Sequence, residues 1–230
     1  GSHKEPDLEG LVAAEPDVVW NGQRFEPHQG DMEKLLEDVS VLDFEPRDGE
    51  DFFEELKRHT EALGQVFGHE EDAEKLIADF DAAAERAKKA YDPEQKVMAV
   101  NTSGGEIGYI APGIGRTYGP IFDLLGLEPA LEVDNASDDH EGDDISVEAI
   151  AESNPDWLLV IDRDSAISKE GEQVTPGEKL VKDNAALKNV SAVKNGNVYV
   201  APQDTYIDES IINYTEILNA LADAFDKANA

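Results

Sequence analysis

Residues 6–24, PDLEGLVAAEPDVVWNGQR, and residues 144–163, DISVEAIAESNPDWLLVIDR, decide the fold of this 230-residue chain. They align at a constant offset, since 163 − 24 and 148 − 9 are both 139, which sets Glu9 on Glu148, Pro16 on Pro155, Asp17 on Asp156 and Arg24 on Arg163. Each copy reads as a short helix (Leu8, Leu11 and Val12, or Val147 and Ile150), a Pro-Asp turn that stops it, and a continuous apolar strand, VVW or WLLVI. Strands of that kind are buried on both faces, as in a parallel α/β sheet. A repeated unit fixes architecture more firmly than local propensity does, so two α/β lobes of similar topology are implied.

The second copy is preceded by more structure than the first. KVMAVNTS (96–103) reads as a buried strand, EIGYIAPG (106–113) as a glycine-edged second segment, and YGPIFDLLG (118–126) as a short helix ended by Gly126. Carrying Val97 back by 139 gives −42, so the first lobe's equivalents would lie upstream of residue 1. On that arithmetic the first lobe lacks roughly 40 to 50 residues. Gly1, Ser2 and His3 fit a tag remnant or native loop residues equally well.

Between the repeats, Ala73, Leu76, Ile77, Phe80, Ala83, Ala84 and Ala87 keep one apolar face at helical spacing. Glu70 and Glu71 at one end and Lys88 and Lys89 at the other suit the helix dipole. The expected organisation is a partial N-terminal lobe over 1–68, a linking helix over 69–92 and a C-terminal lobe over 93–230. The last element is an amphipathic helix with Ile211, Leu218, Leu221, Ala222 and Phe225 on its buried stripe. The fold class is α/β: two Rossmann-like lobes with parallel sheets joined by one long helix.

Composition narrows the function. Nineteen basic and fifty-two acidic side chains give a net charge of −33, a field that repels nucleic acid and anionic membrane surfaces. No apolar run approaches the roughly 20 residues that span a bilayer. With no cysteine there is no disulfide, thiolate metal site or thiol nucleophile. The five histidines form no HExxH pair, and no serine, histidine and aspartate arrangement stands in a recognisable context, so catalysis is not expected.

The paired ExxxxxxPD signatures, the block APGIGRTYGPIFDLLG (111–126) and the stretch KNGNVYVAPQDTY (194–206) resemble the substrate-binding proteins of iron–siderophore and cobalamin ABC importers, nearest to the ferric siderophore branch. The resemblance covers most of the chain from Lys4 to Tyr206. It implies that a cleft between the lobes captures an anionic Fe(III)-siderophore, with no intrinsic cofactor, and delivers it to an ABC permease dimer. It also implies an extracytoplasmic, cell-envelope location and a removed signal peptide, often with a lipid-bearing cysteine. Haem or a corrinoid is the alternative cargo, and a non-transporting interaction fragment the alternative role.

A bulky anion needs fixed cations, and arginine serves best because its planar fork stays charged and donates several hydrogen bonds. Of six arginines, Arg24, Arg116 and Arg163 follow strands or sit in the glycine-rich loop, while Arg47, Arg58 and Arg86 read as surface charges. By resemblance, Arg24, Arg116 and Arg163 match the chelate-binding triad, although Thr117 separates Arg116 from the Tyr118–Gly119 pair. Tyr118 joins the ligand-binding set, Tyr206 lines the site, and His140 and Tyr206 are the candidate iron ligands. Glu9 and Glu148, one per lobe, are the expected permease-docking pair. The acidic run from Asp134 to Asp144 lacks the ligand order of a calcium loop, and the glycines of GIGRTYG lack dinucleotide spacing.

Overall fold

A computed structural model describes residues 5–47, 49–134, 136–139, 141–169 and 172–230. The chain divides into two compact units, 1–62 and 63–230.

In the first unit, α1 (Leu8–Ala13) leads into β1 (Val18–Asn21), a 3-10 turn (Gln23–His28), α2 (Gln29–Leu35) and β2 (Ser40–Asp43). β1 and β2 pair in parallel with Val18 opposite Ser40 and Trp20 opposite Leu42. Val19, Met32 and Leu36 form a small core, against which Leu8, Leu11 and Phe25 pack. α3 (Phe52–Phe67) begins in this unit and was not signalled by the repeat.

Glu55 on α3 is a buried charge of this unit, its side chain only 1% exposed. Arg47 donates to it through its backbone N at 3.1 Å and Nε at 2.9 Å, and pairs through Nη2, while Arg58 Nη2 reaches the other oxygen at 2.7 Å. Arg47 and Arg58, which read as surface charges, therefore clamp one buried carboxylate and hold it well below the usual carboxylate range. A carboxylate bonded only to charged and backbone donors is stabilised in its ionised form.

The second unit starts with α4 (Glu70–Ala90), whose buried face, Ala73, Phe80, Ala83, Ala84 and Ala87, follows the expected spacing. β3 (Lys96–Ser103), β4 (Glu106–Ile110), α5 (Tyr118–Leu125), β5 (Glu128–Pro129) and β6 (Asp143–Asp144) come next. Then α6 (Val147–Ser153), β7 (Trp157–Asp162), α7 (Arg163–Ile167), α8 (Gly177–Lys182), α9 (Ser191–Asn195), β8 (Val198–Val200), a 3-10 turn (Gln203–Tyr206) and α10 (Ile211–Ala228) complete it. The sheet order is β6-β4-β3-β7-β8, with β5 also pairing β3. β7 is parallel to both β3 and β8, and β4 runs antiparallel to β3.

Alternation along β3 and β7 sends Met98, Val100, Leu158 and Val160 into a core with Ile150, Val181 and Leu187. Trp157, on the opposite parity, packs edge-on against Phe225 of α10. Each such fully buried side chain contributes about 1.5–3 kcal/mol through area removed from water. Arg86 of α4 pairs with Asp223 of α10, so the two helices are joined by charge as well as by packing.

The repeat is visible in the backbone. Asp7 and Ser146 cap α1 and α6 in the same way, each side chain accepting from the backbone N three residues on. Each helix is followed by a left-handed residue at φ 47°, Glu15 and Asn154, and then by Pro-Asp and a strand.

Candidate functional site

β3, β7 and β8 are adjacent and parallel, so their C-terminal ends share one edge, the place where open α/β sheets present ligands. Ser103 ends β3, Arg163 follows β7 at once, and Tyr206 closes the turn after β8. These three meet: Arg163 donates from Nε to the Tyr206 hydroxyl at 2.9 Å and from Nη1 to Ser103 Oγ at 3.0 Å. Its Nη2 faces Glu141 Oε1 at 3.2 Å.

The neighbours of Arg163 fix its aim. Asp162 caps α7, accepting from Ser165 N at 3.0 Å, and also takes the Gly177 N–H at 2.7 Å. A β-carbon on Gly177 would lie 2.8 Å from Thr102 Oγ1, so only glycine lets α8 start this close to the strand ends. Asp164 accepts from Gly104 N at 2.8 Å and Gly105 N at 2.9 Å, tying the β3–β4 turn to α7. Arg163 thus stands on a backbone held from both sides.

Arg116 reaches the same tyrosine from the loop before α5. Its guanidinium carbon lies 4.3 Å from the Tyr206 ring centroid and its Nη2 donates to the Tyr206 carbonyl at 2.5 Å, while Arg163 lies 5.4 Å from that centroid. A cation over an aromatic face is attracted by the ring quadrupole. Tyr206, 8% exposed, is the platform on which both guanidiniums rest. Arg116 Nε is buried without a hydrogen-bond partner among the described residues, a donor left over in the site.

Thr117, the residue that interrupts the expected pattern, shapes this arrangement. Its φ of 56° and ψ of −63° form a γ-turn closed by Tyr118 N donating to Arg116 O at 2.6 Å. Such a turn is strained, the more so for a β-branched residue. Thr117 Oγ1 donates to Glu209 Oε1 at 2.6 Å, and Glu209 Oε2 stands 3.4 Å from Arg116 Nη2. One carboxylate therefore holds both the strained turn and the guanidinium beside it.

Tyr118 requires a correction. Its ring is fully buried, its hydroxyl points to Val160 O at 3.4 Å, and burial pushes the phenol well above its ordinary value, so it belongs to the core beneath the loop. Tyr118, Ile121, Phe122 and Leu125 are spaced i, i+3, i+4 and i+7, a buried helical stripe that predicts this place. His140 lies outside the described residues. Within the acidic run, Asp143 accepts from Ser137 N and Oγ and Asp139 from Glu141 N. Among the described residues no three His, Asp or Glu side chains are grouped to hold a metal.

Arg24 sits in the first unit, exposed on the 3-10 turn three residues after β1; the 139-residue offset equates it with Arg163, which follows β7 at once. It lines an open pocket of about 490 Å³ with Arg47, flanked by Glu26, Asp43 and Glu45. Glu9 and Glu148 are each the second residue of their helices and each is exposed. Sequence reasoning missed Ser103, Glu209 and the pairing of Glu141 with Arg163. Thr117 and Glu209 are 92 residues apart and no local pattern links them.

Two guanidiniums on one aromatic ring, at the C-terminal edge of an open, largely parallel sheet, define an α/β ligand-binding protein. The sequence profile of the periplasmic binding protein family matches residues 1–205, and the chain belongs to that family. It is similar to the petrobactin-binding protein YclQ of Bacillus subtilis, with 29% identity over 99% of this chain and 68% of that protein. The solved structure of YclQ superposes with a TM-score of 0.78 at 28% identity, covering 98% of this chain and 76% of that one. The ferric-anguibactin-binding protein FatB of Vibrio anguillarum is 31% identical over 95% of this chain and 66% of that protein. The structure of the periplasmic catecholate-siderophore binding protein VctP of Vibrio cholerae gives a TM-score of 0.80 at 26% identity, over 97% of this chain and 77% of that one. The chain spans about two thirds of the length of the two curated relatives.

Proposed function

We propose that this chain binds an anionic Fe(III)-siderophore and hands it to an ABC permease for iron uptake. The observation that carries this reading is the pair Arg116 and Arg163 resting on one tyrosine at the C-terminal strand edge. Two guanidiniums held in place offer a carboxylate- or catecholate-bearing chelate fixed donors, and the aromatic ring beneath them excludes water. The names of YclQ, FatB and VctP, each a siderophore binder, support the same cargo class.

Contact with the chelate is assigned to Arg116, Arg163 and Tyr206, and to Arg24 at the matching repeat position of the first unit. Tyr206 acts as a platform and hydrogen-bond partner; direct iron ligation would require its hydroxyl to leave Arg163. Glu9 and Glu148 meet the permease, because a twofold membrane partner calls for one equivalent carboxylate on each repeat. Residues 69–92 join the lobes. The site of action is the outer face of the cytoplasmic membrane, reached through a lipid anchor or the periplasm, and the role is binding without catalysis.

The test is a fluorescence titration of the full chain with ferric catecholate, mixed-donor and hydroxamate siderophores and with haem. Trp20 is exposed in the first unit, whereas Trp157 is buried at the start of β7, about 20 Å along the strand from Arg163. Saturable quenching by one ferric siderophore class supports the reading. Quenching by haem alone, or by nothing in the panel, contradicts it.

A further inference from the structure

We infer that Glu209 is a specificity-determining residue whose fixed negative charge offsets Arg116 and turns the site toward chelates of low net charge, leaving Arg163 to exchange Glu141 for the ligand's anionic oxygen. This rests on the siderophore-binding reading and goes further, to the charge class of the cargo and the group that selects it.

Among the described residues, the two guanidiniums beside the Tyr206 ring each face one carboxylate, Glu209 for Arg116 and Glu141 for Arg163, so these four charges cancel. The two carboxylates are not equivalent. Glu209 is 24% exposed, accepts the Thr117 hydroxyl at 2.6 Å and stands beside the γ-turn that aims Arg116. Displacing it would leave that hydroxyl without its acceptor and the strained turn without its support, so it stays when ligand arrives. Glu141 is 51% exposed and meets Arg163 at 3.2 Å from a loop whose backbone lies directly on Gly108, where a β-carbon would be 2.4 Å from Glu141 O. Its main chain is seated while its side chain is open to solvent, the arrangement of an intramolecular counter-ion that a stronger anion replaces.

Arg163 is the better exchange site for a second reason. Its Nε and Nη1 are held by the neutral hydroxyls of Tyr206 and Ser103, which orient the fork without neutralising it. Arg116 keeps its Glu209 partner, and the carboxylates of Asp162 and Asp164 flank Arg163 while engaged by backbone N–H groups. A trianion entering this setting gains one unshared cation and meets at least one carboxylate that does not leave. A neutral or singly charged chelate avoids that repulsion.

The experiment compares a ferric tricatecholate, a trianion, with a neutral ferric trihydroxamate, titrated into the full chain, Glu209→Gln, Glu141→Gln and the exposed control Glu152→Gln. Glutamine keeps an acceptor for Thr117, and equal melting temperatures establish that the turn survives. Glu209→Gln is expected to tighten the trianion about tenfold while moving the neutral chelate less than about twofold, as removal of one nearby charge requires. Glu141→Gln is expected to tighten the trianion about threefold, through loss of the internal competitor. Glu152→Gln, which changes net charge on a distant face of α6, leaves the ratio where it was. An unchanged trianion-to-neutral ratio in Glu209→Gln overturns the inference while leaving siderophore binding intact. Failure of the parent chain to bind these two chelates or any other ferric siderophore of the panel overturns both readings.

Discussion

Glu15 and Asn154 share a positive φ of 47°, 139 residues apart (154 − 15). Each follows a capped helix and precedes Pro-Asp and a buried strand, so the duplication extends to single dihedral angles. Asparagine adopts a positive φ at lower cost than glutamate. Replacing Glu15 with Asn should therefore stabilise the first unit by about 0.5–1 kcal/mol, and with Gly by a similar amount. Urea unfolding of the variants, monitored through Trp20, checks this; destabilisation by both would contradict the conformational argument.

The same repeat places Glu9 and Glu148 one residue past the start of equivalent helices, and both are exposed. Alanine at both positions should leave siderophore affinity within about twofold, since exposed helix-surface changes alter little locally. Transport into vesicles carrying the cognate permease should fall by at least about tenfold, as loss of interfacial charge pairs does. Unimpaired transport would remove these residues from the docking surface.

The strained Thr117 gives a pair of opposed expectations. Thr117→Val keeps the γ-turn strain and loses the bond to Glu209, and should cost about 1–2 kcal/mol. Thr117→Gly relieves the strain while losing the same bond, and should fall within about 1 kcal/mol of the parent. Both should bind the chelate more weakly, because Arg116 loses its fixed aim. Equal stabilities for the valine and glycine variants would show that the turn stores no strain.

Glu55 governs the pH response of the first unit. Hydrogen bonds from Arg47 and then Arg58 hold its carboxyl far below the ordinary value of 4.5, so its folded-state value is depressed. Such a group contributes its stability above the unfolded value, and that contribution is lost as pH falls below about 4.5 toward the depressed folded value. The melting temperature of the parent should drop on acidification through that window. Glu55→Gln should be destabilised at neutral pH, with the gap between the two proteins narrowing as pH falls. A gap that is constant with pH would mean that the carboxylate is not preferentially ionised in the folded state.

Much of this was legible in the sequence, for reasons that can be stated. The 139-residue offset carried α1 with α6 and β1 with β7, because capping, Pro-Asp stops and apolar strand runs are local signals. The stripes of α4 and α10 followed from helical period, and the buried residues of α10 include all five expected there. α3 went unread because its register has no counterpart in the repeat. In the site, Arg116 and Arg163 stood out by scarcity and position. What could not be read was which carboxylates accompany them. Glu209 and Glu141 are two acidic residues among fifty-two, and only the turn at Thr117 and the close approach at Gly108 bring them to the guanidiniums. Tyr118 was misplaced because its neighbours in the loop were weighed ahead of its helical spacing with Ile121 and Leu125.

The central claim is that Arg163, held on Tyr206 and Ser103, binds an anionic ferric siderophore. Isothermal titration of the siderophore identified by the panel into the parent chain, Arg163→Ala and Arg163→Lys tests it most directly. Loss of a charged, multiply hydrogen-bonded contact is worth about 1.5–3 kcal/mol, so the alanine variant should bind roughly ten- to hundredfold more weakly. Lysine, which lacks the fork that spans Tyr206, Ser103 and the ligand, should recover little of that loss. Parent-like affinity in the alanine variant would contradict the account.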